Sequence, residues 1–245
     1  MRDATAELRK LAHALDLPVD RLGVVAGLPA EDLRALRQQA GDALFEAGRP
    51  AFARVAALSK AIPGAVAARL TEAVLPPLIA ARTAELMEPE RAADLVRRLS
   101  DSYLGEVALR IDAARAPEVL EAIPPERVGA VARELARRQE WVVIAGFVDQ
   151  VSGRALTASV TEFTGEQLLR IGYVLDDPGR LDEIGAMLTD RQVDGLLAAA
   201  ATGLTAEFDV LVANLSGPRR ARLAERLAAA PVAVRVALAD HLPQG

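Results

Sequence analysis

Apolar residues recur along this chain at helical spacing, in short segments separated by prolines and glycines. Leu8, Leu11 and Leu15 share one face of a first helix, which the sequence Asp16-Leu17-Pro18 ends. A further helix starts after Gly27, with a proline and two acidic residues in its first turn. The pattern predicts an all-α protein built from short helices.

One helical segment returns 36 residues further along the chain, since Met87–Leu99 reappears in altered form as Ile123–Leu135. Both segments carry Pro-Glu-Arg from their third residue and continue with apolar residues at helical spacing. A period of this length is typical of helical repeat arrays. We therefore predict an N-terminal helical cap over residues 1–45 and a degenerate repeat array over residues 46–245, with one continuous domain as the other arrangement.

A more apolar region lies between residues 51 and 86. Its helical pattern is interrupted at Ile62-Pro63-Gly64 and again at Leu75-Pro76-Pro77-Leu78, where two prolines remove backbone donors. The region fits a hydrophobic groove or hinge, and it equally fits a buried helix that turns a corner.

The composition supports tight helical packing, because 51% of the 245 residues are hydrophobic but only 3% are aromatic. Small side chains such as alanine let helices approach closely. The chain contains no cysteine, which excludes disulfides and thiolate chemistry. A formal net charge of −5 argues against nucleic-acid binding. One segment resembles a helix-turn-helix and contains Arg34, Arg37, Gln38 and Gln39. Residues 1–40 nevertheless carry as many acidic as basic side chains, so they lack the basic surface typical of DNA binding.

The chain opens directly into a charged, amphipathic helix instead of a signal peptide. Its longest uncharged stretch, Gly195–Ala206, is shorter than the roughly 20 residues that span a bilayer. We therefore expect a cytoplasmic protein with no membrane insertion.

The turn Ile123-Pro124-Pro125-Glu126-Arg127-Val128 resembles the Leu-Pro-Pro-Glu-type turns of two families. They are the cytosolic N-terminal domain of MgtE-type magnesium transporters and the repeats of the flagellar switch protein FliG. The resemblance covers roughly residues 80–200. It implies a right-handed α-helical superhelix, and it does not imply transport, magnesium binding or motor torque.

The sequence shows no catalytic constellation. Its two histidines, His13 and His241, lie at opposite ends of the chain. The densest acidic cluster contains Asp176, Asp177, Asp182 and Glu183, which could hold a hard cation. A turn before a helix explains this cluster equally well, because the first turn of a helix favours acidic residues. We expect no catalytic residue, no metal and no cofactor.

The few aromatic residues are the candidate contacts for a partner. Tyr103, Trp141, Phe147 and Tyr173 could line a concave surface, or they could fill gaps in an alanine-rich core. These features predict a non-enzymatic scaffold whose groove binds another protein or a second copy. The alternatives are binding of an apolar small molecule or acyl chain in residues 51–86, and an enzyme that uses the acidic cluster.

Overall fold

The computed structural model of this chain describes residues 4–151 and 153–241. All regular secondary structure in these residues is helical, as the sequence predicts. The chain divides into two compact units, Met1–Ile123 and Pro124–Gly245. Short 3-10 turns lie at Val19–Leu22 and Ala113–Arg115.

The α-helices of unit 1 are α1 (Ala4–Ala14), α2 (Ala30–Lys60), α3 (Gly64–Val74), α4 (Pro77–Ala84), α5 (Pro89–Val96), α6 (Asp101–Ala108) and α7 (Pro117–Ala122). Those of unit 2 are α8 (Pro125–Arg137), α9 (Trp141–Gln150), α10 (Gly153–Val160), α11 (Gly165–Tyr173), α12 (Arg180–Met187), α13 (Asp190–Ala201), α14 (Thr205–Asn214), α15 (Gly217–Ala229) and α16 (Val232–Ala237). Among the described residues, no helix combines the length and apolarity needed to cross a bilayer.

Proline and threonine set the helix starts. Helices α5 and α8 begin at Pro89 and Pro125, which confirms the starts predicted from the repeated Pro-Glu-Arg sequence. Thr164 and Thr189 cap the N-termini of α11 and α13 through reciprocal capping boxes with the glutamine three residues later. The predicted break at the paired prolines is also present, because α3 ends at Val74 and α4 begins at Pro77.

Helix α2 is much longer than any other helix in the described residues. It runs for 31 residues through Gly41, Gly48 and Pro50, and therefore passes residue 45, where the sequence places the end of a cap. Phe45 holds this part of the helix in place, since its buried ring lies under the guanidinium of Arg115 at 4.5 Å. The division into cap and array stays a prediction.

Within each unit, a helix packs on the helix two places further along the chain. In unit 1 these pairs are α2–α4, α3–α5, α4–α6 and α5–α7. In unit 2 they are α8–α10, α9–α11, α10–α12, α11–α13, α12–α14 and α13–α15. Other contacts accompany this pattern. Neighbouring helices pack together at α1–α2, α8–α9, α13–α14 and α15–α16, and unit 2 adds the pairs α11–α14, α12–α15 and α13–α16.

Hydrogen bonds from backbone N–H groups to carboxylates reinforce this packing pattern. Glu85 Oε1 accepts from the backbone N–H of Asp112 at 2.8 Å, across 27 residues. Asp149 Oδ2 accepts from the backbone N–H of Asp176 at 2.7 Å, again across 27 residues. A carboxylate near the end of one helix thus binds a backbone donor that precedes a later helix. These donors lie outside the α-helices and would otherwise need water or another partner.

Side-chain donors on later helices also bind backbone carbonyls that lie at or just after the ends of earlier helices. Arg91 Nη2 donates to the carbonyl of Ile62 at 2.7 Å, across 29 residues. Gln192 Nε2 donates to the carbonyls of Val160 and Phe163, both at 2.9 Å, across 32 and 29 residues. These bonds satisfy carbonyls at the end of the earlier helix, which have no partner within that helix.

Helices α11 and α13 approach so closely that their backbones touch. A Cβ atom added at Gly165 would lie 2.1 Å from the backbone N of Leu196 and 2.4 Å from the carbonyl O of Gln192. Only glycine fits this position, for a steric reason. Gly195 faces it from α13 at an ordinary van der Waals distance, 3.6 Å from a Cβ at residue 195 to the backbone N of Gly165.

Candidate functional site

The predicted aromatic contacts are all half-buried. Tyr103 lies on α6 of unit 1, where its hydroxyl donates to the carbonyl of Leu75 at 2.8 Å and its ring packs near Ala80, Ala81 and Val107. Burial raises the pKa of Tyr103, and the nearby carboxylate of Glu72 adds to this effect. Tyr103 therefore holds the break between α3 and α4 in place.

The other three aromatic residues lie in unit 2. Trp141 and Phe147 are on α9, and Tyr173 is the last residue of α11, which packs on α9. The assignment of all four aromatic residues to partner binding stays a prediction.

The four acidic candidates of unit 2 bind different groups of the protein. Asp177 Oδ1 accepts from the N–H of Gly179 at 3.0 Å, and Asp182 Oδ1 accepts from the N–H of Ser216 at 2.7 Å. The bond from Ser216 lowers the pKa of Asp182. Glu183 pairs with Arg180 at 3.5 Å.

The fourth member, Asp176, donates its backbone N–H to Asp149. Within residues 4–151 and 153–241, no three histidine, aspartate or glutamate side chains are placed to hold a metal ion. The acidic cluster therefore acts in capping turns and linking helices in this structure.

The basic residues of the helix-turn-helix-like segment face the protein interior. Arg37 Nη2 lies 3.5 Å from the carboxylate of Glu7, and Arg34 Nε lies 3.9 Å from it. Glu7 is buried on α1, where it also pairs with Lys10 at 3.0 Å. This charge cluster joins α1 to α2.

Two small apolar cavities, each of about 20 Å³, lie among the described residues of unit 2. They share the side chains of Leu188, Leu196 and Leu211 and the backbone of Gly185. A cavity needs roughly 10–15 Å³ to hold one water molecule. Neither cavity therefore has room for an acyl chain.

The most unusual surface lies in unit 1, along α2. One stripe of this helix consists of residues at alternating spacings of four and three. They are Leu33, Arg37, Ala40, Leu44, Ala47, Ala51, Arg54 and Leu58. At its start, Leu33 is 0% exposed because it packs with Leu11 of α1. Beyond α1 the stripe is uncovered, and Leu44 and Leu58 are 60% and 67% exposed. We call residues Leu44, Ala47, Ala51, Arg54 and Leu58 the α2 stripe.

Helix α3 carries a second uncovered stripe. Val66, Leu70 and Val74 are four residues apart, and all three are exposed, Val74 to 71%. An adjacent side of α3 faces the core through the buried Ala67 and Ala68. We call Val66, Leu70 and Val74 the α3 stripe. Large exposed hydrophobic residues in the described chain are concentrated in unit 1, with Val232 and Val236 as the two in unit 2.

Two arginines at these stripes are unpaired. Arg54 belongs to the α2 stripe, and Arg69 lies beside Val66 on α3. Both are exposed, and neither has a side-chain hydrogen bond or ion pair with the described residues. The neighbouring Lys60, in contrast, pairs with Glu88 at 2.7 Å.

The acidic side chains of the same region are engaged within the unit. Glu46 pairs with Arg49 at 3.0 Å, and Glu72 accepts from the N–H of Ser100. Asp42 pairs with Arg115. The charges left without partners along the two stripes are therefore positive.

Comparisons with protein-family models, with curated proteins and with solved structures find no significant match to this chain. The resemblance to MgtE-type and FliG repeats thus rests on the turn residues alone. Sequence reasoning marked residues 51–86 as apolar but did not identify the α2 and α3 stripes. The spacing of Leu44, Ala47, Ala51 and Leu58 was the available signal, but spacing alone does not tell a covered face from an uncovered one.

Proposed function

We propose that this protein is a non-enzymatic, cytoplasmic scaffold that binds another protein. The observation that carries the proposal is the change along α2, from a covered stripe at Leu33 to an uncovered one at Leu44–Leu58. Burying a leucine or valine side chain gains about 1.5–3 kcal/mol. A partner that covers the α2 and α3 stripes would gain several such contributions.

The packing of most helices on the helix two places along supports a repeat architecture within each unit. In such arrays every interior repeat is covered by its neighbours, and the terminal faces need a cap. We propose that each unit by itself is built as a right-handed superhelix. In this proposal, α1 caps the first part of α2 and a partner covers the rest.

The alternative of an apolar small molecule or acyl chain in residues 51–86 has less support. Val66, Leu70 and Val74 lie on the surface, so they do not enclose a ligand. Ligand pockets for small molecules are concave and bury most of the ligand. An extended exposed stripe is better suited to a helix of another protein.

The test compares affinity capture by the wild type with capture by two variants, followed by native mass spectrometry. Leu58→Glu places a charge in the α2 stripe, and Val236→Glu places one at an equally exposed position on α16 as the control. We expect a stoichiometric protein partner with the wild type and the control, and its loss with Leu58→Glu. A wild-type protein that carries only a small-molecule adduct would refute the scaffold and support the alternative.

A further inference from the structure

The α2 stripe continues a surface that already binds a helix. Helix α1 packs on the start of α2 at Leu33 through Leu8 and Leu11, and Leu15 just after α1 joins the same cluster. Beyond α1, residues Leu44–Leu58 extend the same stripe over 14 residue steps, or about 21 Å at 1.5 Å per residue. The space beyond α1 therefore has the length and the apolar spacing to accept another helix of about four turns.

The charges along the α2 and α3 stripes indicate the chemistry of the helix that would bind there. Arg54 lies on the α2 stripe and Arg69 lies beside the α3 stripe, and neither has a partner among the described residues. Glu46 and Glu72 already bind groups within unit 1. The surface is therefore locally basic although the chain carries a formal net charge of −5.

We propose that the α2 stripe, with Arg69 on the following helix α3, binds an amphipathic helix of a partner protein that carries acidic residues beside its apolar face. This inference rests on the proposed scaffold function and names the chemistry of the partner. Apolar side chains of the incoming helix contact Leu44, Ala51 and Leu58, and its carboxylates pair with Arg54 and Arg69. Electrostatic complementarity of this kind sets which partner is accepted.

A second copy of this chain fits the surface less well, because its own stripes offer arginines and no unengaged carboxylate. A membrane surface also fits less well. Helices that lie in membrane interfaces are rich in lysine and arginine and carry Trp, Phe or Leu on the apolar face. The two stripes contain no aromatic residue and a single basic one, Arg54. Both occupants remain distinct outcomes of the test.

The test uses two synthetic helical peptides of 16 residues, labelled for fluorescence anisotropy, and the full chain. Both peptides carry leucines at alternating spacings of three and four residues, and they differ only in flanking glutamates or flanking lysines. We expect the glutamate peptide to bind the wild type at least tenfold more tightly than the lysine peptide. The double variant Arg54→Glu, Arg69→Glu should reverse this preference, and added salt should weaken it.

Two further variants separate the contributions to binding. Leu44→Glu should weaken both peptides, because it removes an apolar contact that they share. Arg235→Glu changes an exposed arginine on α16 and should leave both affinities unchanged. Circular dichroism and urea unfolding of every variant establish that the fold is retained. Equal affinities for the two peptides, or a preference that the double variant does not reverse, would overturn the inference.

Two other results would also overturn it. A wild-type dimer in sedimentation, dissociated by Leu44→Glu, would assign the stripe to a second copy. Co-sedimentation with phosphatidylcholine–phosphatidylglycerol vesicles that requires Leu44 would assign it to a lipid surface. The scaffold proposal fails separately, when the wild type captures no protein partner. A captured partner that tolerates the double variant but is lost with Leu58→Glu refutes only the acidic chemistry.

Discussion

The contact between α11 and α13 allows a quantitative prediction for Gly165→Ala. The new Cβ would lie 2.1 Å from the backbone N of Leu196, and real Cβ contacts are essentially never closer than 3.0 Å. The two backbones must therefore separate by at least 3.0 − 2.1 = 0.9 Å. Overpacking of this kind costs about 1–3 kcal/mol. No side chain can rotate away to relieve the clash, because the atoms in contact are backbone atoms.

Gly195→Ala is the matched control, since it faces Gly165 across the same contact. Its Cβ would lie 3.6 Å from the nearest atom, and alanine is favoured over glycine inside a helix by up to about 1 kcal/mol. We expect Gly165→Ala to lower the free energy of unfolding by about 2 kcal/mol and Gly195→Ala to leave it unchanged or raise it. Urea unfolding followed by circular dichroism measures both. A Gly165→Ala variant within about 0.5 kcal/mol of the wild type would refute the close contact.

Two further predictions concern individual side chains. Gln192→Ala removes two bonds to buried carbonyls together with its capping-box bond, whereas Gln167→Ala removes only a capping-box bond. We expect a loss of about 1–3 kcal/mol for Gln192 and a smaller one for Gln167, measured by urea unfolding, and equal losses would contradict the long-range role. Bonds from Arg137 and Arg138 lower the pKa of Glu134 from 4.5 to about 2. The stabilisation that Glu134 contributes is thus present above pH 4.5 and is lost as the pH falls toward 2. The difference in melting temperature between the wild type and Glu134→Gln should therefore shrink over this range, and a constant difference would contradict the assignment.

The helix starts could be predicted from sequence because their causes are local. Pro89 and Pro125 fix the backbone of a first turn, and Thr164 and Thr189 supply caps within three residues of the groups they bind. The same reasoning worked for the break between Val74 and Pro77, where the prolines themselves end one helix and start the next.

Local signals failed within α2, where Gly41, Gly48 and Pro50 would be expected to weaken or end a helix. The contact between Phe45 and Arg115, which is distant in sequence, favours a continuous helix there. The candidate site was missed for a related reason. Leu33 and Leu44 occupy equivalent positions on one stripe, and only the end of α1 decides that the first is buried and the second exposed.

The bonds that skip one helix bear on how fast each unit folds. Glu85 meets Asp112 and Asp149 meets Asp176 across only 27 residues, so little chain entropy is lost when these pairs form. Chains dominated by such near-neighbour contacts have low contact order and fold rapidly. Each helix that docks presents the surface for the helix two places later, so order can spread stepwise from any pair that forms first. A variant such as Gln192→Ala should then change the docking rate only of the helices that Gln192 contacts. The docking of the other helices should be unchanged.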